Sequence, residues 1–555
     1  MTDLVDRLLG AAPFHLDGAR CNWVRRTLAA MDDDARIKHL FIHIFRGHDP
    51  ADVARMHALS PAGVTRFFSG DGSGDLDMLN ALHSGATIPY LVSADLEGSR
   101  MSMPFGTEVP NPLALAAIND TEATHAIAAL TAREARAAGL NWSFTPVIDI
   151  NAEFRSPIVA TRGFGSDPVR IARHARAHMA ALQAHGVAAT AKHWPGEGHD
   201  DRDQHLVTTV IPLSIEDWRA THGALYSDLI AQGILSVMSA HIAFPAYMVQ
   251  KHPNAGRETY RPASINKTLN QILLREELGF NGVIVSDATS MAGLGDWARR
   301  DEYLPEVIEN GCDLILFSDE PETDIARLHA ALADGRLSRD RVEAALIRVL
   351  GLKAVLGLNR AFQPADRSAL ARPEDRALAR AVTARAPTLV KDTKGTLPIS
   401  PLWHKRVLIY STGIVQPMRG MQADFALPAM LANEGFQVTL FDPDQQPNPR
   451  DFDLVIYLMG EETLLTRGRI FLDWGHLAGG MEGAMKRVWH DVPTVLLSFG
   501  YPYYLYDAPA APCVINAYAT MHSMQQAVLD CLLGRAPFLG KSPVDPFCGR
   551  AEARF

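Results

Sequence analysis

Gly282-Val283-Ile284-Val285-Ser286-Asp287 is a run of β-favouring apolar residues that ends on a carboxylate. Short, continuously apolar runs of this kind are what strands buried on both faces look like. Seven more lie in the first part of the chain: Leu40–Phe45, Gly63–Phe68, Tyr90–Asp95, Phe144–Ile150, Val187–His193, Leu235–Ile242 and Asp313–Ser318. The stretches between them read as helices. Glu122–Ala138, for example, is rich in Ala, Arg and Leu and is stopped by Gly139. Strand–helix alternation implies parallel strands. Eight such units predict an α/β fold, a (β/α)8 barrel of TIM type.

A barrel of about 250 residues leaves much of a 555-residue chain unexplained. The texture changes near residues 360–400, where Asn359-Arg360-Ala361-Phe362-Gln363-Pro364 and Thr393-Lys394-Gly395-Thr396-Leu397-Pro398 bracket a helical stretch. The reading is a barrel over residues 1–360, a linker over 361–395 and a second domain over 396–555. Val407–Thr412, Phe436–Asp442, Leu454–Met459, Thr494–Gly500 and Cys513–Ala519 predict a smaller α/β sandwich there.

Composition narrows the function. Hydrophobic residues make up 47% and charged residues 21%, which excludes disorder along most of the length. A net charge of −10 argues against a nucleic-acid partner. Cys21, Cys312, Cys513, Cys531 and Cys548 are scattered, so neither a disulfide framework nor a cysteine metal site is suggested. The first residues lack an apolar signal core, and no run approaches about 18 apolar residues. The expectation is a cytoplasmic monomer or homodimer with no membrane partner. Gly70-Asp71-Gly72-Ser73-Gly74 lacks a phosphate-binding frame and reads as a βα loop.

Active sites of barrels lie at the C-terminal ends of the strands. The third strand runs into Asp95-Leu96-Glu97-Gly98-Ser99-Arg100, and Thr161-Arg162-Gly163-Phe164-Gly165 follows the fourth. The fifth ends in Lys192-His193-Trp194-Pro195-Gly196-Glu197-Gly198-His199, the sixth carries His241 and the seventh ends at Asp287. These residues predict a polar-substrate pocket with acid–base capacity. Asp287 reads either as the N-cap of the next helix or as a nucleophile or general base. Asp203-Gln204-His205 reads either as a solvated loop or as a carboxylate that orients an imidazole. His193, His199, Asp203 and His205 are suitable metal ligands by type, but their spacing matches no tight ligand pattern. No metal or cofactor is expected.

Taken together these segments resemble glycoside hydrolase family 3. Asp95-Leu96-Glu97-Gly98-Ser99-Arg100 is similar to the family's D-x-E-G-G-R, and Phe144–Ile150 with Thr161–Gly165 to its next block. Lys192–Gly198 with Asp203-Gln204-His205 resembles K-H-F-P-G-x-G-x(4)-D-x-H, the mark of the N-acetyl-β-glucosaminidase (β-N-acetylhexosaminidase) branch. Arg275–Asp287 resembles the nucleophile segment. Pro502-Tyr503-Tyr504-Leu505 and Ser542–Phe547 resemble stretches of two-domain members.

The resemblance implies that Asp287 is the nucleophile and His205 the acid/base, held by Asp203 on a mobile loop. It implies that Asp95, Arg162, Lys192 and His193 hold sugar hydroxyls, with Arg100, Glu197 and His241 as further candidates. A retaining glycosidase attacks the anomeric carbon with a carboxylate while a second group protonates the leaving oxygen. A histidine's ordinary pKa of about 6.5 suits transfer in both directions. The implied partner is a glycoside containing N-acetylglucosamine: a muropeptide of cell-wall recycling, a chitooligosaccharide or another glycan.

Two residues depart from the pattern. Ser99 replaces a glycine, and Glu197 stands where the branch usually has His. Glu197 reads as a loop residue paired with Arg202 or Lys192, or as a carboxylate that recruits a substrate group or competes as acid/base. Ala288 follows Asp287 where many members have a second Asp. Three alternatives stand beside the hydrolase reading. The acid/base could be a Glu of the second domain, with Glu461, Glu462 and Glu482 as candidates. The reaction could be phosphorolysis. The chain could also be an inactive sugar-binding protein on the same scaffold.

Overall fold

Eight parallel strands build the first sheet: β1 (Phe41–Phe45), β2 (Gly63–Arg66), β3 (Leu91–Ala94), β4 (Trp142–Ser143), β5 (Thr190–Trp194), β6 (Ser236–Ser239), β7 (Val283–Ala288) and β8 (Leu314–Leu316). The computed structural model describes residues 2–47, 49–68, 72–360, 362, 364–415 and 422–555. Gly70 and Asp71 of the glycine-rich segment lie outside the described residues. Neighbours follow the order β4-β3-β2-β1-β8-β7-β6-β5. Parallel bridges Trp142–Ala188 and Val147–Lys192 join the two ends of the sheet. The result is the (β/α)8 barrel, with Val, Ile and Leu side chains of the strands buried in its core.

Seven expected strands coincide with observed ones, give or take their ends. The fourth differs. The regular strand is Trp142–Ser143, and Phe144–Ile150, the expected strand, follows it without regular pairing. Pro146 has no N–H to give a ladder. The segment still lines β5: Thr190 N donates to Thr145 O (2.7 Å) and Ile148 N to Lys192 O (2.9 Å).

Three helices frame the side of the barrel that meets the second domain: α1 (Pro112–Ile118), α2 (Thr121–Ala137) and α3 (Pro168–Ala184). Asp120 caps α2 by accepting from Glu122 N and Ala123 N, and Asp167 caps α3 by accepting from Val169 N. No described helix is long and apolar enough to cross a membrane.

α4 (Pro373–Thr383) leads into a second sheet. Its strands are β9 (Thr388–Asp392), β10 (Arg406–Val415), β11 (Gln422–Ala423), β12 (Gln437–Leu440), β13 (Leu454–Gly460), β14 (Thr494–Ser498) and β15 (Cys513–Asn516). The order is β9-β15-β14-β13-β10-β11, with β12 also on β10. β9 and β11 pair antiparallel, and the rest are parallel. β9 and α4 fall in the segment read as a linker, so that segment is largely built into structure. The second core also takes in Leu113, Ala114 and Ala117 of α1 together with Ala160, so the two sheets are packed as one body.

Candidate active site

Lys192, from β5, is the hub of a buried ion cluster at the C-terminal end of the barrel. Its ammonium donates to Asp95 Oδ1 (2.7 Å) and pairs with Glu97 Oε1 (2.8 Å). Arg162 grips Glu97 with two parallel hydrogen bonds of 2.8 and 2.9 Å. Burial alone would neutralise these groups, but they compensate one another. Arg162 and Lys192 hold the Glu97 carboxyl well below its ordinary pKa, and the carboxylates hold both cations above theirs. Asp95 is the more open member, with 23% of its side chain exposed against 2% for Lys192.

His193 is fixed from two sides. Its Nδ1 meets Asp149 Oδ2 at 2.5 Å, and Arg162 Nη2 lies 3.3 Å from its Nε2. An arginine can only donate, so Nε2 accepts and Nδ1 carries the proton. Asp149 Oδ1 takes the backbone N–H groups of His193 and Glu197, both at 2.9 Å.

Asp287 stands at the end of β7, half-buried. Among the described residues its Oδ1 accepts from Ala288 N alone (2.8 Å), and the next helix begins at Ala292 behind Met291. It is therefore not a helix cap. Burial opposes its ionisation, but the imidazoles of His193, His241 and His205 and the Ala288 N–H outweigh that and hold it below the ordinary carboxyl value. His241 is spent on scaffolding. Its Nδ1 meets Ser264 Oγ (2.8 Å) and its Nε2 the Ala288 carbonyl (2.9 Å).

The loop after β5 brings Asp203 and His205 together. His205 Nδ1 lies 2.6 Å from Asp203 Oδ1, which also accepts the His205 backbone N–H at 2.8 Å. The Asp203 side chain is fully buried, whereas 22% of His205 is exposed. Burial works against the Asp203 charge, but the hydrogen bonds keep its pKa low. The loop is docked at several points. Gln204 Nε2 donates to Glu197 Oε2 (3.0 Å), and His241 N donates to Gln204 Oε1 (3.0 Å). Ala292 N donates to the His205 carbonyl (3.1 Å), which ties the loop to the chain just past Asp287. Gly198 begins it at φ +104°, where a Cβ would stand 1.9 Å from the Ile150 carbonyl oxygen.

Glu197 pairs with neither cation named for it. Arg202 is bound to Asp200 (2.6 Å), and Lys192 to Asp95 and Glu97. Glu197 Oε1 is buried and has no hydrogen-bond partner among the described residues. Burial first, then Asp149 and Asp203, push its pKa well above the ordinary 4.5. Its surroundings therefore favour the neutral acid over the carboxylate. Among the described residues Asp149, His193 and Glu197 form a group with metal-ligand atoms within 4.8 Å. Two of its three members already hydrogen-bond each other and burial disfavours a charge on the third, which suits a proton-sharing cluster better than a cation site. His199 and His205 are outside it; His199 packs edge-on against His222.

The second domain closes one side of the site. Ser99, at φ +47°, donates to Glu462 Oε1 (2.7 Å), so the residue that departs from the family's glycine gains an interdomain hydrogen bond. Arg100 reaches Thr520 Oγ1 (2.6 Å) and does not touch the ion cluster. Glu462 also accepts from Asn111 and from both Thr520 donors. Glu461 hydrogen-bonds Tyr504, and Glu482 is exposed beside Lys486. Glu97, Arg100, Arg162, Asn111 and Glu462 line a narrow cleft along this seam.

This architecture has close relatives. The family model described as glycosyl hydrolase family 3 N terminal domain matches residues 76–352. A beta-N-acetylglucosaminidase/beta-glucosidase of Cellulomonas fimi is 38% identical over 98% of this chain and 99% of its own. The chain belongs to glycosyl hydrolase family 3. It is an enzyme of that family, and its relatives include several beta-hexosaminidases. Among solved structures, a beta-glucoside phosphorylase, BglX, is 33% identical with a TM-score of 0.91, covering 99% of this chain and all of its own. A family 3 beta-N-acetylglucosaminidase from Paenibacillus sp. str. FPU-7 shares the fold at 24% identity, with a TM-score of 0.79 and coverage of 93% and 99%.

The family motifs carry more of the site than the residues singled out from them. Glu97 lies inside the D-x-E-G segment and Asp149 inside the fourth-strand block, and both anchor residues that were singled out. Gln204 sits between the two members of the dyad. Nothing in the sequence marks Thr466, which reaches Asp203 from the second domain.

Proposed function

We propose that the enzyme is a retaining, exo-acting glycosidase that removes terminal β-linked N-acetylglucosamine, as the names of its relatives and the D-x-H of the N-acetyl branch suggest. The observation that carries the reading is the buried Asp203 hydrogen-bonded to a half-open His205, on a loop docked beside Asp287. Asp287, held ionised, attacks the anomeric carbon and displaces the aglycone oxygen. His205 donates its Nε2 proton to that oxygen, while Asp203 stabilises the imidazolium and fixes its ring. A glycosyl ester on Asp287 results. In the second step His205, now neutral, takes a proton from water as the water opens the ester. Asp95, the most open member of the ion cluster, is placed to accept from a sugar hydroxyl. Arg162, Lys192 and His193 hold that end of the pocket rigid and polar.

A panel of aryl β-N-acetylglucosaminide and β-glucoside substrates tests this with wild type, Asp287→Ala and His205→Ala. Release of the aryl group from the N-acetyl sugar by wild type, and its loss in Asp287→Ala, is expected. Normal turnover by Asp287→Ala would end the assignment.

A second reading is favoured by the 33%-identical relative named a beta-glucoside phosphorylase. In it inorganic phosphate replaces water in the second step and the product is the glycosyl 1-phosphate. An imidazole, unlike a carboxylate, does not repel that anion. Sugar 1-phosphate formed in phosphate buffer supports this reading, and free sugar alone supports hydrolysis.

A further inference from the structure

One loop of the second domain, residues 461–472, reaches the barrel mouth. It is stitched there first: Thr463 Oγ1 accepts from Thr161 N and Thr161 Oγ1 from Thr463 N, both at 3.2 Å. Leu464 N then donates to Pro157 O (3.2 Å). The turn that follows carries Thr466 at φ +60°. A β-branched residue occupies the left-handed region only where its surroundings hold it there. The Thr466 residue is exposed, so its contribution is its backbone. That N–H donates to Asp203 Oδ2 at 2.9 Å.

Asp203 therefore has both oxygens engaged. Oδ1 holds His205 through two donors, and Oδ2 is pinned from the other domain. A carboxylate held by one oxygen alone still pivots about its Cβ–Cγ bond, and the imidazole it orients swings with it. Pinning the second oxygen fixes the carboxylate plane and so the direction of the Nδ1–H bond. We propose that the 461–472 loop is a positioning device for the acid/base, with the Thr466 N–H as its working contact. The barrel's proton donor is then completed by the second domain. The inference rests on the reading of Asp203 and His205 as the acid/base.

The test separates proton donation from nucleophilic attack. A 2,4-dinitrophenyl glycoside leaves without a proton, whereas an alkyl glycoside of the same sugar needs one. Thr466→Pro removes the N–H and cannot take a positive φ; Thr466→Gly keeps the N–H and takes it freely. We expect kcat/KM of Thr466→Pro to fall about tenfold or more on the alkyl glycoside and less than about twofold on the dinitrophenyl one, since general-acid assistance is worth roughly 10²–10⁴. Thr466→Gly should match wild type on both. Equal losses on the two substrates, no loss on either, or a Gly variant as impaired as the Pro variant would overturn the proposal. If Thr466→Pro does not fold, Thr463→Val, which removes the hydroxyl stitch, is read in the same way. His205→Ala is run beside them. If it shows no difference between the substrates, the acid/base reading has failed. If it shows the difference and the loop variants do not, the loop proposal alone has failed.

Discussion

Asp203→Asn changes one atom in the dyad, and the structure allows its effect to be worked out. Asp203 accepts from three donors: His205 Nδ1 (2.6 Å) and His205 N (2.8 Å) at Oδ1, and Thr466 N (2.9 Å) at Oδ2. An asparagine has one accepting oxygen and one NH2 group. With its oxygen toward His205, the NH2 group faces Thr466 N–H. With its oxygen toward Thr466, the NH2 group faces both donors of His205. The first arrangement loses one hydrogen bond and the second loses two, so the first wins and His205 keeps its tautomer. What is lost is the Thr466 N–H bond and the charge assistance to the imidazolium, together about 1.5–3 kcal/mol. At 1.36 kcal/mol per factor of ten, that is roughly a 10- to 150-fold fall in kcat/KM on an alkyl glycoside. The dinitrophenyl glycoside should be cleaved at close to the wild-type rate. Steady-state kinetics on the two substrates reads both values. A loss near 10⁴ would show that the amide had turned and the tautomer reversed. Equal losses on both substrates would refute the assignment of the pair to proton transfer.

Three further substitutions separate the roles of the surrounding carboxyls. Glu97→Gln leaves Arg162 and Lys192 buried with one anion fewer, a change that costs about 3–5 kcal/mol. Its thermal midpoint should fall well below wild type near neutral pH; an unchanged midpoint would contradict the ion-cluster account. Because the folded-state pKa of Glu97 is depressed, its contribution is present above the ordinary 4.5 and lost as pH falls, so that gap should narrow on acidification. Glu197 has the opposite sign. Its folded-state pKa is raised, so its neutral form imposes no penalty below 4.5 and an increasing one as pH rises. Glu197→Gln, neutral throughout, should gain in thermal midpoint relative to wild type as pH rises above 4.5, and a gain that does not grow with pH would contradict a raised Glu197 pKa. Asp95→Asn should lower the thermal midpoint less than Glu97→Gln does, because Asp95 is the more open partner of Lys192, while lowering kcat/KM at least about tenfold, as loss of a charged hydrogen-bond acceptor for substrate does. Unchanged kinetics would remove it from the sugar site.

The barrel was legible because seven of its strands are short apolar runs, each buried on both faces, and their composition says so without help from the rest of the chain. The fourth was misplaced by its own composition. Phe144–Ile150 is apolar enough to read as a strand, but Pro146 breaks the ladder and the regular pairing sits two residues earlier. β9 was hidden because its burial is mixed: Leu389 and Val390 are only partly covered, and it lies beside helical residues that read as a connector. Within the site, Asp203, His205 and Asp287 could be named from the motifs. The partners of Glu197 could not. Its neighbours in sequence include Lys192 and Arg202, and only the fold shows both cations already committed to other carboxylates. Thr466 was out of reach for a different reason. Its contribution is a backbone N–H from 263 residues away, and backbone atoms leave no mark on composition or spacing.

The central claim is that Asp287 forms a covalent bond to the sugar. A 2-deoxy-2-fluoro glycoside with a dinitrophenyl leaving group slows both steps but loads the enzyme faster than it is released, so a glycosyl-enzyme accumulates. Peptide mass spectrometry of the inactivated protein should find one fluorosugar on the peptide containing Val283–Ala288, with fragmentation placing it on Asp287. An adduct on Glu197 or Glu462, or turnover of the normal substrate with no adduct trapped, would contradict the account.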